Sequence, residues 1–459
     1  PFLGILTAPD RVFSHPIVAD VARAWSITSA DQLVLPLTVV FAATALLAGA
    51  IRMVLLWANA RLARASGADL SIEAYRRTLY QPYQVHVARN SSEVISGITG
   101  KVAATISVLQ SVLAVVSSMV LIITIMLALL AIDAMVATVA AIGFGASYGL
   151  ITWLSRRRLH QNSRRIAKEG TRVHKALQEG LGGIRDVLLD GTQPLYCDIY
   201  RRSQMPLMRA QGNNTFIAGS PRCAVEALGM ALIAALAYGL SRQTGGIATA
   251  LPVLGALALG AQRLLPALQM GYSAWASIAG QHASLADAIE LLDQPLPAEI
   301  LQPAPAPLSF QDAIRFDAVR FRYTNDGPWV LEGVNLTIPK GARVGFVGST
   351  GSGKSTTLDL LMGLLMPTEG EILVDGQPVS GDRLRAWQRT IAHVPQSIYL
   401  ADTTLAENIA FGVPRSAIDL QRVQQAARQA QIADFIESRP EGYSAFVGER
   451  GIRLSGGQR

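Results

Sequence analysis

The stretch Gly348-Ser349-Thr350-Gly351-Ser352-Gly353-Lys354-Ser355-Thr356 carries the chemistry most easily read in the chain, because it fits the pattern G-x-x-x-x-G-K-[ST]. Glycines let a backbone curl so that successive N–H groups point inward. A helix starting at such a turn adds the positive end of its dipole, and together they form a cradle for phosphate oxygens. Lys354 supplies a point charge for the β- and γ-phosphates, and the Ser355 hydroxyl supplies a ligand for Mg2+. The flanks suit this reading. Ala342 to Val347 is apolar and β-branched like a buried strand, and Thr357 to Leu365 reads as a helix. By itself the loop implies a nucleoside triphosphate and leaves kinase, GTPase and transport ATPase open.

A second stretch narrows the choice. Leu454-Ser455-Gly456-Gly457-Gln458 places a serine and two glycines where a helix can begin, which is a second anion-binding terminus in the same chain. The pair resembles the nucleotide-binding domain of an ATP-binding cassette (ABC) protein. In that family the serine-glycine segment of one subunit closes over ATP held by the phosphate loop of the other. The resemblance implies ATP and Mg2+ as ligands, bound by Gly348 to Thr356 and by Ser455, Gly456, Gly457 and Gln458. It further implies Tyr323 as the aromatic that stacks on adenine and Gln396, at the end of a strand read over Ile391 to Gln396, as a second metal or water ligand beside Ser355. His393 precedes the signature and is not the family's switch histidine. Glu449 matches a segment that contacts the opposite subunit in exporters. The second acidic motif, catalytic glutamate and switch histidine are expected after the signature, so no catalytic residue is assigned within 1–459 and hydrolysis is assigned to a complete protein. Both ends of the sequence are expected to be truncated.

The elements that must position these residues are unusual in composition. The 459 residues are 50% hydrophobic and 16% charged, with a mean hydropathy of +0.31. That is far more apolar than an ordinary soluble domain and implies membrane helices with a soluble part attached. A stub at residues 1–6 and apolar spans at 33–58, 102–132, 134–154, 216–240 and 247–286 are each read as membrane-crossing, about twenty residues being enough. The net charge is +7. Its arginines gather in the loops 59–101 and 155–211, which lie on one side of an even number of crossings. The charge is therefore read as membrane orientation, basic side in the cytoplasm, rather than as a nucleic-acid partner. Cys197 and Cys223 have no metal or redox spacing.

The expected organisation is thus multi-domain. An all-α transmembrane bundle occupies 1–292, a proline-rich linker 293–312, and an α/β P-loop domain 313–459. This resembles one half of an ABC exporter, which implies a second half as partner, most simply an identical one. Coupling helices are expected near 84–94 and 192–202, and a helical stretch over 416–438. A Glu371 to Val374 strand with an Asp375-Gly376 turn is expected in the soluble part.

Two arginines interrupt the apolar spans. Arg222 and Arg263 lie roughly 24 to 27 Å from the outer ends of their helices at 1.5 Å per residue, the level of the inner headgroups. Either they hold the phosphate of a lipid-linked substrate, or they snorkel to the interface, Arg222 then pairing with Glu226 at helical spacing. Trp387 to Asp402, Glu407 to Gly412 and Arg263-Leu264-Leu265-Pro266 are similar to bacterial ABC flippases for lipid-linked oligosaccharides. That resemblance implies an inner-membrane protein with its nucleotide-binding domain in the cytoplasm. An exporter of drugs, lipids or peptides is the alternative, and a regulatory ATPase or gated channel is a third reading.

Overall fold

The computed structural model describes residues 30–132, 134–241, 246–297, 302–396 and 398–459. The chain divides into two compact units, Pro1–Gln302 and Pro303–Arg459, and the division falls inside the expected linker. The expected stub at 1–6 and the loop following it lie outside the described residues, as do Asp133 and 242–245.

The described residues of the first unit are almost all helical. Its long helices are α1 (Ala30–Leu79), α4 (Val102–Ile132), α5 (Ala134–Gly182), α7 (Gln193–Ser241) and α8 (Gly246–Leu292). Each covers one of the apolar runs. The four of 47 to 50 residues exceed by more than twofold the roughly 20 needed to cross hydrocarbon, so each continues as a polar rod. Two stretches, Thr38–Leu79 and Ser91–Ala131, are long and apolar enough to cross a membrane. On α1 the side chains of Leu46, Met53 and Leu56 are 77%, 72% and 72% exposed, an apolar face that water would not tolerate over this length.

Packing between these helices relies on small residues and on a few aromatics. A Cβ at Gly271 of α8 would stand 2.9 Å from the Ser118 hydroxyl of α4, so those helices meet closely there. Tyr148, Leu159, Val225, Tyr272 and Ala276 form a buried cluster joining α5, α7 and α8. Lys101 Nζ pairs with Asp287 at 2.7 Å, tying the start of α4 to the end of α8.

The short helices differ from expectation. The segment 84–94 forms two helices, α2 (Tyr83–Ala88) and α3 (Ser91–Ser96), because Asn90 turns the chain and caps the second by accepting from Ser92 N. A five-residue π stretch, Gly97–Lys101, then leads into α4. The second short helix is α6 (Ile184–Leu189), not 192–202. Gly183 ends α5, and Gly191 at φ +62 turns the chain into α7, whose first turns absorb the segment expected to be short.

The second unit contains a four-stranded antiparallel sheet in the order β2-β1-β3-β4, formed by β1 (Ala313–Phe321), β2 (Leu331–Pro339), β3 (Glu369–Val374) and β4 (Gln377–Pro378). Phe316, Val319, Phe321, Leu360, Val374 and Trp387 form its core. β3 and β4 are joined by Asp375 and Gly376, both at positive φ (53° and 73°), as a two-residue hairpin with matching twist requires. The Asp375 carboxylate accepts from the N–H groups of Gln311, Asp312 and Ala313.

Helices α9 (Lys354–Leu361) and α10 (Gly381–Gln388) pack on this sheet. The expected helical stretch 416–438 is broken into a 3₁₀ turn, Arg415–Ala417, then α12 (Leu420–Gln429) and α13 (Ala433–Glu437), following α11 (Leu405–Ile409). Gln431 at φ +57 makes the break between the last two.

Two expected strands form no ladder. Residues 342–347 and 391–396 are unpaired among the described residues, and Val347 and Val394 are 94% and 85% exposed. An apolar β-branched run encodes an extended, buriable segment, but a strand exists only with a neighbour to accept its hydrogen bonds.

Candidate functional site

The phosphate loop is held in shape by three features. Gly351 and Gly353 take φ of +85 and +86, where a side chain is strained, and Gly353 is the residue from which α9 starts. A Cβ at Gly353 would lie 2.8 Å from Leu331 Cδ2 and 3.1 Å from Val330 O. One at Gly348 would lie 2.6 Å from the Ser352 hydroxyl. The loop is thus drawn as tightly as glycine allows. Lys354 Nζ donates to the Gly348 and Ser349 carbonyls at 3.0 and 2.7 Å, which anchors the ammonium over the loop. Thr357 Oγ1 donates back to Gly353 O at 2.9 Å and closes the first helical turn.

Ser355 and Thr356 leave this turn in different directions. Ser355 is exposed beside the lysine, whereas Thr356 is buried and lies 3.1 Å from the Tyr323 hydroxyl. Tyr323 is 40% exposed and sets its ring edge-on to Phe321 at 5.0 Å between centroids. The Tyr323–Thr356 pair ties the end of β1 to the loop across 33 residues, and no sequence pattern announced it. Next to Tyr323 in sequence, the Arg322 guanidinium lies 4.7 Å over the Trp329 ring.

Asp359 follows in α9. Burial pushes its carboxyl up from the ordinary 3.8, and the nearby His393 partly offsets that. His393 and Gln396 are both exposed, Gln396 in a bend after the unpaired run. The chain beyond is pinned by a capping box that the pattern T-x-x-E at 404–407 encodes. Thr404 N and Oγ1 donate to Glu407 Oε2 at 3.0 and 2.8 Å, and Glu407 N donates back at 3.2 Å. Those two Thr404 donors, the backbone N–H first, with Arg415 beyond, hold the Glu407 carboxyl below its usual value. Asn408 adds a clamp, accepting from Ala401 N and donating to Ala401 O, at 2.9 and 3.0 Å.

The segment 454–458 is anchored at one end. Leu454 is buried with Leu405, Ile436, Ala445 and Val447, while Ser455, Gly456 and Gly457 are exposed. Gln458 folds back so that its Oε1 accepts from Ser455 N at 2.9 Å. The residues form a turn, and no helix begins there among the described residues. Glu449 is exposed in a 3₁₀ turn, Glu449–Gly451.

In the helical unit, Arg222 is 67% exposed and its Nε lies 4.0 Å from Glu226 Oε2, an ion pair at the outer limit of contact. Arg263 stands on α8, and its side chain lies outside the described residues. A cavity of about 610 Å3 opens among α4, α5, α7 and α8, with His174, Gln211, Asn214 and Gln281 among its polar lining groups.

Residues 331–459 match the family described as ABC transporter. The ATP-dependent lipid A-core flippase of Alkalilimnicola ehrlichii is 32% identical over 324 residues, 69% of this chain and 53% of that one. The protein of the same name from Chromohalobacter salexigens is 41% identical over 169 residues, 37% of this chain and 28% of that one. The chain thus spans about half, or less, of the length of the curated relatives it matches. Among solved structures, a bacterial Atm1-family ABC exporter with ATP bound superposes with a TM-score of 0.75 over 99% of this chain and 80% of that one. At 23% identity this is a likeness of fold. The chain therefore shares the fold of that exporter, a helical region ahead of a domain whose residues 331–459 match the ABC transporter family.

Proposed function

We propose that the chain is half of an ATP-driven exporter or flippase that moves a lipid-linked, phosphate-bearing substrate across a bacterial inner membrane. The observation that carries this reading is the phosphate loop, drawn tight by Gly348 and Gly353 with Lys354 poised over it, in a chain whose first unit is apolar helices. On nucleotide binding Lys354 exchanges its two loop carbonyls for phosphate oxygens, and the N–H groups at the start of α9 turn to the same charge. Ser355 and Gln396 would hold Mg2+, which when bound would supply charge neutralisation on those oxygens. Tyr323 offers its ring to adenine while its hydroxyl stays with Thr356.

A second, identical half presents Ser455, Gly456 and Gly457 to the far side of the nucleotide. The lipid-linked oligosaccharide class is favoured by relatives named lipid A-core flippase. A peptide exporter is the second reading, favoured by 42% identity over 149 residues to the alpha-hemolysin translocation protein of Escherichia coli O157:H7, 32% of this chain and 21% of that one.

The test is reconstitution of the full-length protein in vesicles, with ATP turnover and leaflet position of fluorescent lipid-linked sugars followed together. ATP-dependent movement, with stimulation lost in Arg263→Ala, supports the reading. Unchanged stimulation in that variant removes Arg263 from the substrate site, and absence of movement for every phosphate-bearing lipid overturns the substrate class.

A further inference from the structure

Pro221 stands inside α7. It has no backbone N–H, so Ile217 O loses its usual helical donor, and the bend that a proline ring imposes on the preceding turn also weakens the next bond, from Arg222 N–H to Ala218 O. A carbonyl loosened in this way and packed against a neighbouring helix is satisfied by donors from that helix. α8 provides the donors. Gln269 Nε2 donates to Ala218 O at 2.8 Å, in the turn that Pro221 opens, and Ser273 Oγ donates to the same oxygen at 3.0 Å.

The donors are themselves fixed. Gln269 Nε2 also donates to Ser273 Oγ at 2.9 Å, and Gln269 Oε1 accepts from the Tyr148 hydroxyl of α5 at 3.2 Å. The amide is thus used at both ends, and three helices converge on one opened turn. Immediately beyond it come Arg222 and the exposed Cys223. A glutamine that merely filled space would not need two donors aimed at one carbonyl, beside the residue that breaks the helix.

We propose that Gln269, with Ser273, is a positioning residue: it holds α7 open at Pro221 and thereby sets the direction in which Arg222 leaves the helix. The link to substrate rests on the function proposed above, whereas the lock itself does not.

Cys223 reports the lock directly. In the full-length protein in lipid nanodiscs, with Cys197 and any further cysteine replaced by serine, the rate of Cys223 labelling by a maleimide is measured in a four-member cycle. The members are the parent, Gln269→Leu, Pro221→Ala and the double variant. A hydrogen bond between membrane helices changes an equilibrium by about 3-fold on average and up to about 20-fold. Gln269→Leu is expected to change labelling by at least that lower factor in the parent and by little once Pro221→Ala has relieved the turn and let Arg222 N–H bond Ala218 O fully. An equal effect with and without Pro221, or none in the parent, overturns the proposal. Ser273→Ala, which removes one donor and keeps the amide, runs the same cycle should Gln269→Leu fail to fold.

A second readout separates this inference from the function. Gln269→Leu is expected to raise the phosphate-lipid concentration giving half-maximal ATPase stimulation while leaving the maximal rate close to the parent. If the parent is not stimulated at all, the substrate reading fails and the labelling cycle still decides the lock.

Discussion

Replacing Gly351 and, separately, Gly353 by alanine distinguishes two costs that the phosphate loop carries at once. Both residues sit near φ +85, so any side chain pays the left-handed penalty of roughly 1–2 kcal/mol, partly offset by about 0.4–1 kcal/mol from the stiffer unfolded chain. For Gly351 nothing lies within 4 Å of the new Cβ, and the net cost is about 0.5–1 kcal/mol. For Gly353 the Cβ meets the Val330 carbonyl at 3.1 Å and a Leu331 methyl at 2.8 Å. The methyl can swing away, but the carbonyl belongs to the backbone entering β2, so overpacking adds about 1–3 kcal/mol. In thermal unfolding of the full-length protein, followed through the cassette's transition, Gly351→Ala is expected to lower the midpoint by about 1–4 °C and Gly353→Ala by at least about 3 °C. Protection by Mg-ATP should weaken mainly in Gly353→Ala, because the displaced residue immediately precedes Lys354. Equal midpoints for the two variants would refute the close approach between the loop and the strand entry.

Lys354→Ala removes an ammonium that already has two carbonyl partners, so part of its worth to nucleotide is exchange. The remaining charge-assisted contacts correspond to a loss of affinity of about tenfold to a hundredfold, read by titration with a fluorescent nucleotide. Asp375 has its carboxyl held below the ordinary 3.8, chiefly by the Asp312 N–H and then by those of Gln311 and Ala313. A depressed carboxylate stabilises the fold above its unfolded pKa and loses this as pH falls through the folded value. Asp375→Asn should therefore lower the cassette's midpoint at neutral pH and flatten its decline below pH 4, as measured by unfolding between pH 3 and 7. Gly271→Ala places a Cβ against the Ser118 hydroxyl and should cost about 1–3 kcal/mol, with Ser118→Ala recovering part of it in the double variant's thermal midpoint.

How much of this was legible in the sequence depended on how local each signal is. The phosphate loop is a code written in nine adjacent residues, and both its turn and the start of α9 at Lys354 follow from them. The Asp375-Gly376 hairpin is equally local. Apolar run lengths placed all five long helices, yet they missed that the short helix is 184–189. That boundary is set by Gly183 and Gly191 rather than by hydrophobicity. The strands expected at 342–347 and 391–396 show the limit more sharply. Their β-branched character signals an apolar, extended segment, but pairing is a property of two segments and neither run contains information about a partner.

The lock on α7 is the extreme case of the same limit. Pro221 announces in sequence that a turn must open, but nothing near it says which donor closes the account, since Gln269 is 51 residues from Ala218. A glutamine in an apolar run reads as a defect until its geometry is known. Once placed, it explains why a polar amide can persist among Leu265, Leu268 and Tyr272: moving it to lipid would leave both its own groups and the Ala218 carbonyl less satisfied. The same reasoning separates the two arginines. Arg222 follows a turn whose orientation α8 controls, so its direction can change with the packing of α7 on α8. Glu226, only 4.0 Å away, moves with the same helix and cannot serve as the fixed point. A substrate phosphate recognised by Arg222 would therefore be gripped or released by the state of the Gln269 lock rather than by the arginine's own ion pair.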